Sequence, residues 1–418
     1  MAHPSPRSPL RVFLFSSFRA LTATALVVAL GSAAKTADND TPLTIQPLAL
    51  DASPDGTMPR LSVAGGRALI SWVEGDAEKA SLRYAERTAS GWSAPRTAAT
   101  GADWFMTPAD LPTVMRLSNG ALVAEWLEST DDATEAYDLL LSLSRDEGKT
   151  WSTPEAPHHD ATKTQHGFAA LFASLASPGG FGLVWLDGRQ TAGKPEGQGS
   201  MSLRSAMFDA SGRETEDVLV DDRVCDCCPT SIAVTADGPI AAFRDRTRDE
   251  IRDIAVSRYA NGAWTPSRVV HADNWHIDGC PVNGPAIAAS GRMVVVAWFT
   301  GANDQGRAFA AFSRDAGATF GAPIRLDEAQ TIGRVDVALL DDGSAVASWI
   351  EPANGRAEFR IRRVDATGTR GPAQLVAAVG QASGRTSGYP HIARAGSELL
   401  LAWTETRTTV KTASAKLP

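Results

Sequence analysis

The chain has 418 residues, of which 43% are hydrophobic, and its formal net charge is −8 at pH 7. An acidic balance argues against nucleic acid as a partner, because phosphate binding depends on clustered Lys and Arg. Length alone suggests about three domains, but a repeat that runs along the chain favours one array of similar units.

The first 34 residues differ in composition from the rest of the chain. Three arginines precede an apolar run over residues 20–30, and small residues follow at 32–34. This order is typical of a secretory signal peptide, and the run is shorter than a membrane span. We therefore predict a signal peptide over residues 1–34 and an exported, periplasmic or secreted, mature chain without a membrane span. A retained anchor is the alternative.

One motif recurs seven times: an apolar strand ends on an aromatic residue, and an acidic residue follows two positions later in six copies. The aromatic residues are 51 to 59 positions apart. The copies are Trp72 with Glu74, Trp126 with Glu128, Trp185 with Asp187, Phe243 with Asp245, Trp298 with Thr300, Trp349 with Glu351 and Trp403 with Glu405. A period of this length is typical of β-propellers. We predict an all-β fold over residues 35–418, one propeller domain of seven four-stranded blades, with six blades as the alternative.

The last unit of the repeat has one strand fewer than the others. From Tyr389 onwards the pattern predicts only three strands, whereas Leu43–Leu50, close to the mature N-terminus, has the pattern of a strand. We predict that this N-terminal strand completes the last blade, because such pairing removes the open edges of the sheet ring.

Two turns between third and fourth strands share the pattern S-x-D-x-G-x-T-W/F. The residues that match are Ser144, Asp146, Gly148 and Trp151 in one turn and Ser313, Asp315, Gly317 and Phe320 in the other. The Asp carboxylate can accept hydrogen bonds from turn amides, and Gly can adopt a positive φ. This pattern resembles the Asp-box, or BNR, repeat of the sialidase superfamily. The resemblance implies a propeller fold, and Asp boxes also occur in non-catalytic proteins of this shape.

A sialidase binds the substrate carboxylate with three arginines and uses a tyrosine nucleophile, an exception to the two-carboxylate scheme of most glycosidases. On the matching positions, the resemblance implies that Tyr389 is the nucleophile and that Arg60 and Arg244 are two of the arginines. The third would be Arg334 or Arg356.

The resemblance is incomplete at the acid and base positions. Glu74 or Asp76 lies near the position of the family's acid/base. The Glu that activates the tyrosine is expected before Arg244, where this chain has Cys228 and Pro229. An exo-sialidase-like glycoside hydrolase is therefore the enzymatic alternative and not the preferred function.

All four cysteines fall in the loops that lead into the first strands of two consecutive repeats. They are Cys225, Cys227, Cys228 and Cys280. His276 precedes Cys280 by four residues, and His166 leads into the preceding repeat. Thiolates and imidazole bind Cu(I), and a tetrahedral set binds Zn(II). These six residues are the predicted metal site, with copper favoured over zinc because thiolates this crowded form a soft donor set.

Disulfides are the alternative use of these cysteines, because an exported protein with an even number of cysteines is expected to oxidise them. Cys280 paired with one member of the cluster is the obvious bridge between blades. One bridge with a labile pair beside it is an intermediate outcome.

The loops that lead into each first strand should share one edge of the ring, here called the rim, with the ends of the second strands. Arg334, Asp336 and Asp278 lie in these loops and are predicted to bind ligand. The acids that follow the aromatic residues are expected to be solvated or paired with arginines, and His158 and His159 to be surface residues.

These observations favour an exported, non-hydrolytic propeller that binds a ligand at the rim through the Cys/His cluster. The expected ligand is a metal ion, a small molecule or a glycan. A scaffold that assists the assembly of another exported protein is a third possibility, and that protein would then be its partner.

Overall fold

The computed structural model of the protein describes residues 41–131, 135–175, 177–195, 198–381, 388–405 and 408–418. The predicted signal peptide lies outside these ranges. In the described part of the chain, no helix is long and apolar enough to span a membrane.

The described chain is almost entirely β-structure and forms seven antiparallel sheets in chain order, which we number blades 1 to 7. Strand β1 (Ile45–Leu48) belongs to blade 7. Blade 1 contains β2 (Thr57–Ala64), β3 (Arg67–Glu74), β4 (Ala80–Thr88), β5 (Gly91–Trp92) and β6 (Arg96–Gly101). Blade 2 contains β7 (Thr113–Arg116), β8 (Leu122–Asp131) and β9 (Ala136–Ser144). Blade 3 contains β10 (His166–Ala173), β11 (Phe181–Asp187), β12 (Met201–Phe208) and β13 (Glu214–Val224).

The remaining blades follow the same order. Blade 4 contains β14 (Ser231–Thr235), β15 (Gly238–Arg244), β16 (Ile254–Ala260), β17 (Ala263–Trp264) and β18 (Arg268–Val269). Blade 5 contains β19 (Ala286–Ser290), β20 (Met293–Thr300), β21 (Arg307–Ser313) and β22 (Ile324–Arg325). Blade 6 contains β23 (Gly333–Leu339), β24 (Ala345–Ala353), β25 (Arg356–Val364) and β26 (Gln374–Gln381). Blade 7 contains β27 (His391–Ala395), β28 (Glu398–Thr404) and β29 (Val410–Lys416). Two short 3₁₀ turns cover Arg189–Thr191 and Ala302–Asp304.

The fourth strand of a blade is the most irregular. In blades 1 and 4 it is split into two short strands that both pair with the third strand. In blade 2 a single bridge between Leu141 and Glu155 stands in its place. The inner part of each blade therefore carries the regular repeat.

Strand β1 completes blade 7, as predicted. It pairs antiparallel with β29, with Ile45 opposite Ala415 and Leu48 opposite Thr412. The hydrophobic core between blades 7 and 1 contains Ile70 and Leu400. The N-terminal segment thus joins the last blade next to the first.

Each repeated aromatic residue fills one junction between neighbouring blades. The seven hydrophobic cores contain, in order from the blade 1–2 junction to the blade 7–1 junction, Trp126, Trp185, Phe243, Trp298, Trp349, Trp403 and Trp72. A large buried aromatic side chain contributes much of the packing at such a junction. The period therefore arises from one aromatic residue per junction, and the predicted count of seven blades is confirmed.

Two of the acids that follow the aromatic residues pair with arginines, as predicted: Asp187 with Arg189 at 2.7 Å and Glu74 with Arg83 at 3.4 Å. The acids also have a structural function that was not predicted. Three of them accept the indole N–H two residues earlier, in the pairs Trp72–Glu74 (2.9 Å), Trp185–Asp187 (3.0 Å) and Trp349–Glu351 (2.9 Å). In blade 5, where Thr300 replaces the acid, Trp298 donates to Asp273 instead, at 2.7 Å. A buried indole N–H requires an acceptor, so these carboxylates serve the junction cores.

The two S-x-D-x-G turns have matching hydrogen bonds. Asp146 accepts the backbone N–H of Thr150 at 2.9 Å, and Asp315 accepts that of Thr319 at 2.9 Å. Their glycines, Gly148 and Gly317, have φ of 77° and 81°. The aromatic residues that end the turns, Trp151 and Phe320, pack on the blade 1–2 and blade 4–5 cores. The turns therefore fix the outer part of a blade against a junction, away from the rim.

Candidate functional site

The loops of the rim bring several side chains together in the middle of the ring. Met58, Phe168 and Arg334 each have a positive φ, of 56°, 52° and 55°, at a point where the first strand of their blade shifts register. Met58 and Phe168 share a buried cluster with Tyr389. A cavity of about 540 Å³ lies between the first strands of the blades, and its lining includes Arg60 and Tyr389.

Tyr389 and Arg334, two of the predicted site residues, are in direct contact. The Arg334 guanidinium lies over the Tyr389 ring at 4.4 Å from its centroid and donates a hydrogen bond to the hydroxyl at 2.5 Å. The hydroxyl donates to the carbonyl of Val282. Burial raises the pKa of Tyr389 to about 12. The phenol is thus held in its neutral form, which is a poor nucleophile.

Arg244 has a structural environment that the resemblance to sialidases does not imply. It is 2% exposed and donates to the carbonyls of Asn283, Arg252 and Phe299 at 2.6 to 2.9 Å. Its guanidinium also lies 4.8 Å from the Trp275 ring centroid. These contacts occupy Nε and both terminal nitrogens, so this placement favours a role in holding the rim loops together.

The other predicted ligand-binding residues are scattered. Asp76 is exposed and accepts the backbone N–H groups of its own turn. Asp278 and Arg356 are also exposed. Asp336 lines the cavity and accepts the N–H of Ile392 at 2.8 Å. Of these four, only Asp336 therefore lies at the cavity near Tyr389.

The cysteines form one disulfide and one pair of free thiols. Cys227 and Cys280 are bonded, whereas Cys225 and Cys228 are free and buried. The sulfur atoms of Cys225 and Cys228 are 3.2 Å apart. This is the intermediate outcome of the sequence analysis, one bridge beside a pair, and it leaves two of the four cysteines for other chemistry.

The two free thiols have different surroundings. A hydrogen bond from Cys228, helped by the nearby charge of Arg244, lowers the pKa of Cys225 to about 6, while burial raises the pKa of Cys228 well above its usual value. Arg252 donates to the Cys225 sulfur at 3.5 Å, and the N–H of Asn283 donates to the Cys228 sulfur at 3.4 Å. Cys225 is therefore the more acidic of the two thiols, and it lies next to a guanidinium.

The two histidines predicted to join the cysteines lie elsewhere. The sulfur group comprises Cys225, Cys227 and Cys228, with no histidine among its potential ligands in the described residues. His276 is exposed and its backbone bridges to Ile251. The predicted six-residue metal set is therefore not assembled as one site.

His166 belongs instead to a buried histidine pair. Its ring stacks on that of His158 with centroids 3.7 Å apart. The prediction that His158 is a surface residue was wrong: it is 7% exposed, and burial lowers its pKa to about 4, which keeps the ring neutral. His159 has an exposed side chain and contacts Glu214, as a surface residue does.

Two buried carboxyl groups near Arg60 were missed by the sequence analysis. Asp110 accepts the backbone N–H of Phe168, and burial raises its pKa to about 7. Burial and the neighbouring Asp110 raise the pKa of Glu125 well above its usual value. The position of Glu125 inside the apolar strand β8 was a signal, because an acid there must be buried.

No protein-family model matches this sequence, and no curated protein does. Among solved structures, it is similar to a protein of unknown function from Dyadobacter fermentans, with 13% identity, 90% of this chain and 99% of that chain covered, and a TM-score of 0.51. It is also similar to the polysaccharide lyase Uly1, with 10% identity, coverage of 89% and 92%, and a TM-score of 0.50. The Hadza microbial sialidase Hz136 matches with 13% identity, coverage of 82% and 74%, and a TM-score of 0.46.

The predicted β-propeller fold is confirmed. The likeness to these solved structures is a likeness of fold. At such identities it carries no activity or substrate to this chain. The function has to be argued from the side chains of the rim.

Proposed function

We propose that this chain is an exported propeller that binds copper, as Cu(I), through the sulfur atoms of Cys225 and Cys228 at the rim. The observation that carries the proposal is the buried pair of free thiols, with sulfur atoms 3.2 Å apart, beside the guanidinium of Arg252. Soft thiolate ligands favour Cu(I) over the hard cations.

The donor set fits copper better than zinc. Structural zinc sites use four ligands, commonly Cys and His. Here the sulfur group has three members in the described residues, and one of them, Cys227, is bonded to Cys280. Two soft sulfur donors suit Cu(I), which would be held by Cys225 and Cys228 once their sulfur atoms, 3.2 Å apart, separate to admit the ion.

The surrounding residues position the sulfur pair. The Cys227–Cys280 disulfide ties the loop before blade 4 to the loop before blade 5. Arg244 binds the carbonyl of Asn283, whose N–H donates to Cys228. The guanidinium of Arg252 places a positive charge beside the Cys225 sulfur, which offsets the negative charge of a thiolate. A rigid and cationic pocket of this kind lowers the free energy needed to organise two thiolates.

Anaerobic titration with Cu(I) against a chromogenic copper chelator would test the proposal on the mature protein. We expect one Cu(I) per chain in the wild type and none in Cys225→Ser/Cys228→Ser. The matched control is Cys227→Ser/Cys280→Ser, which removes the bridge and keeps both proposed ligands, so it should still bind one Cu(I). Failure of the wild type to bind, or equal binding by the first variant, would contradict the proposal.

A count of free thiols in the denatured, unreduced protein provides a second check. The structure has two free cysteines and one disulfide. Two reactive thiols per chain are therefore expected after metal removal. A count of zero in protein isolated from the exported fraction would mean that Cys225 and Cys228 form a second bridge, which would exclude a resident copper ion.

A sialidase-like hydrolase is the second candidate, and the contact between Tyr389 and Arg334 beside a cavity lined by Arg60 is the observation in its favour. The contacts of Arg244 with backbone carbonyls weigh against it. We therefore expect no turnover of a fluorogenic sialoside by the wild type. Turnover that is lost in Tyr389→Phe and survives Cys225→Ser/Cys228→Ser would favour the hydrolase.

A further inference from the structure

We propose a second, separate metal site for a divalent transition metal such as Zn(II), formed by Asp138, His158 and His166 between blades 2 and 3. It shares no residue with the sulfur pair and does not depend on copper binding there. Asp138 lies in β9 of blade 2, His158 in the loop that follows β9, and His166 at the start of β10 in blade 3. The three side chains converge although they come from distant points of the chain.

The donor atoms of this group face one another at a spacing that suits an ion. The Oδ1 atom of Asp138 is 3.6 Å from Nε2 of His158 and 3.6 Å from Nδ1 of His166. Zinc bonds of about 2.0 to 2.2 Å at tetrahedral angles place neighbouring ligand atoms about 3.4 Å apart. The same distances are too long for hydrogen bonds.

The three atoms have no hydrogen-bond partner among the residues that the structure describes. They are Asp138 Oδ1, His158 Nε2 and His166 Nδ1, and all three are buried. Both histidines are more than nine-tenths buried, with exposures of 7% and 0%. Leaving one buried polar group unpaired costs about 1 to 3 kcal/mol. The three atoms lie within 4.8 Å of one another, so a cation among them would give each a partner once the stacked rings of His158 and His166 rotate toward it.

The second ring nitrogen of His166 is fixed by a carboxylate. Its Nε2 lies 3.1 Å from Oδ2 of Asp160, and that carboxylate contacts Arg189 at 3.3 Å. A carboxylate that accepts Nε2–H leaves the lone pair of Nδ1 free to bind a metal, as in carboxylate–histidine–metal groups. Nδ1 lies 3.6 Å from Asp138 Oδ1, and a cation or a proton between the two atoms would remove their repulsion.

The donor types select the class of metal. Two imidazole nitrogens and one carboxylate oxygen suit Zn(II) and its neighbours among transition metals, whereas Ca²⁺ and Mg²⁺ prefer oxygen ligands alone. The Asp138 side chain is 31% exposed although its Oδ1 atom is buried, so the group lies close to solvent.

Cobalt(II) absorption spectroscopy and zinc content of metal-stripped, untagged mature protein would test this site. We expect one Co(II) or Zn(II) per chain, with a cobalt spectrum free of sulfur charge-transfer bands. In His158→Gln and Asp138→Asn the affinity should fall at least 100-fold. His159→Gln, which changes the exposed neighbour, and Cys225→Ser/Cys228→Ser should both bind as the wild type does.

The Asp160→Asn variant tests whether Asp160 orients the His166 ring without binding the metal itself. Loss of a carboxylate that orients a metal-bound histidine typically weakens binding 10- to 100-fold, so this variant should retain the site with intermediate affinity. Absence of Co(II) and Zn(II) binding in the wild type would overturn the proposal whatever the variants do. Sulfur bands in the cobalt spectrum, or loss of binding in the Cys225/Cys228 variant, would also overturn it.

Discussion

The sulfur pair and the histidine group lie on one rim, but their polar atoms differ in how they are satisfied. Each free sulfur has a donor nearby, from Arg252 or from the N–H of Asn283. In the histidine group, Asp138, His158 and His166 each leave a buried atom without a partner among the described residues. An ion would supply partners that the histidine group lacks, whereas at the sulfur pair it would replace existing hydrogen bonds.

The largest effect on stability is expected when the disulfide beside the sulfur pair is removed. Cys227 and Cys280 are 53 residues apart, so Cys227→Ser/Cys280→Ser should lower the free energy of unfolding by about 4 kcal/mol. Urea denaturation of mature protein would measure it. A loss below about 1 kcal/mol would show that the bridge does not hold blades 4 and 5 together.

The second prediction concerns the pH dependence of stability at the buried carboxyl groups near Arg60. A buried acid that stays neutral needs no counter-ion, unlike the groups proposed to bind metals. Burial raises the pKa of Asp110 to about 7, whereas the pKa of an Asp in the unfolded chain is about 4. Its contribution to stability is therefore complete below about pH 4 and is lost as pH rises through about 7. We expect the wild type to lose about 3 kcal/mol over this window because of Asp110, and Asp110→Asn to lose correspondingly less.

Urea denaturation at several pH values between 4 and 8 would test this expectation. The matched control is Asp76→Asn, which makes the same substitution at an exposed turn and leaves Asp110 in place. The same pH dependence in Asp110→Asn and wild type would contradict the account of this buried carboxyl group.

A smaller effect is expected at the blade junctions. Asp273→Ala removes the acceptor of the Trp298 indole and should cost about 1 to 2 kcal/mol. Glu405→Ala is the control, because in the described part of the chain the Trp403 indole has no hydrogen-bond partner, and the Glu405 side chain lies 3.8 Å from Lys411 near the surface. Equal effects of the two substitutions on thermal unfolding would contradict the interpretation that carboxylates stabilise the junction cores by accepting the indole N–H.

Much of the fold could be predicted because the repeat has a direct physical cause. One aromatic residue fills each junction, so the number of copies in the sequence equals the number of blades. The function of the acids two positions later was predicted only in part, because the arginine pairs of Glu74 and Asp187 were expected and their bonds to the indoles were not. Residues i and i+2 of a strand lie on the same face, which places Glu74 beside the Trp72 indole, and the resulting hydrogen bonds were not anticipated.

The candidate sites could be predicted only in part. Cys227 and Cys280 meet because the loops before neighbouring blades lie side by side, which chain order alone suggests. His158 lies in an irregular loop, and its partners Asp138 and His166 belong to two different blades. Nothing in the spacing of these three residues indicates their convergence, so only the three-dimensional structure separates His166 from the cysteines.

The central claim, two chemically distinct metal sites on one rim, can be tested in one measurement. Mature protein would be equilibrated anaerobically with Cu(I) and Zn(II) together, and bound metal counted by mass spectrometry. The account predicts one copper and one zinc in the wild type, loss of copper alone in Cys225→Ser/Cys228→Ser, and loss of zinc alone in His158→Gln. A wild type without copper, or one variant that loses both metals while folded, would contradict it.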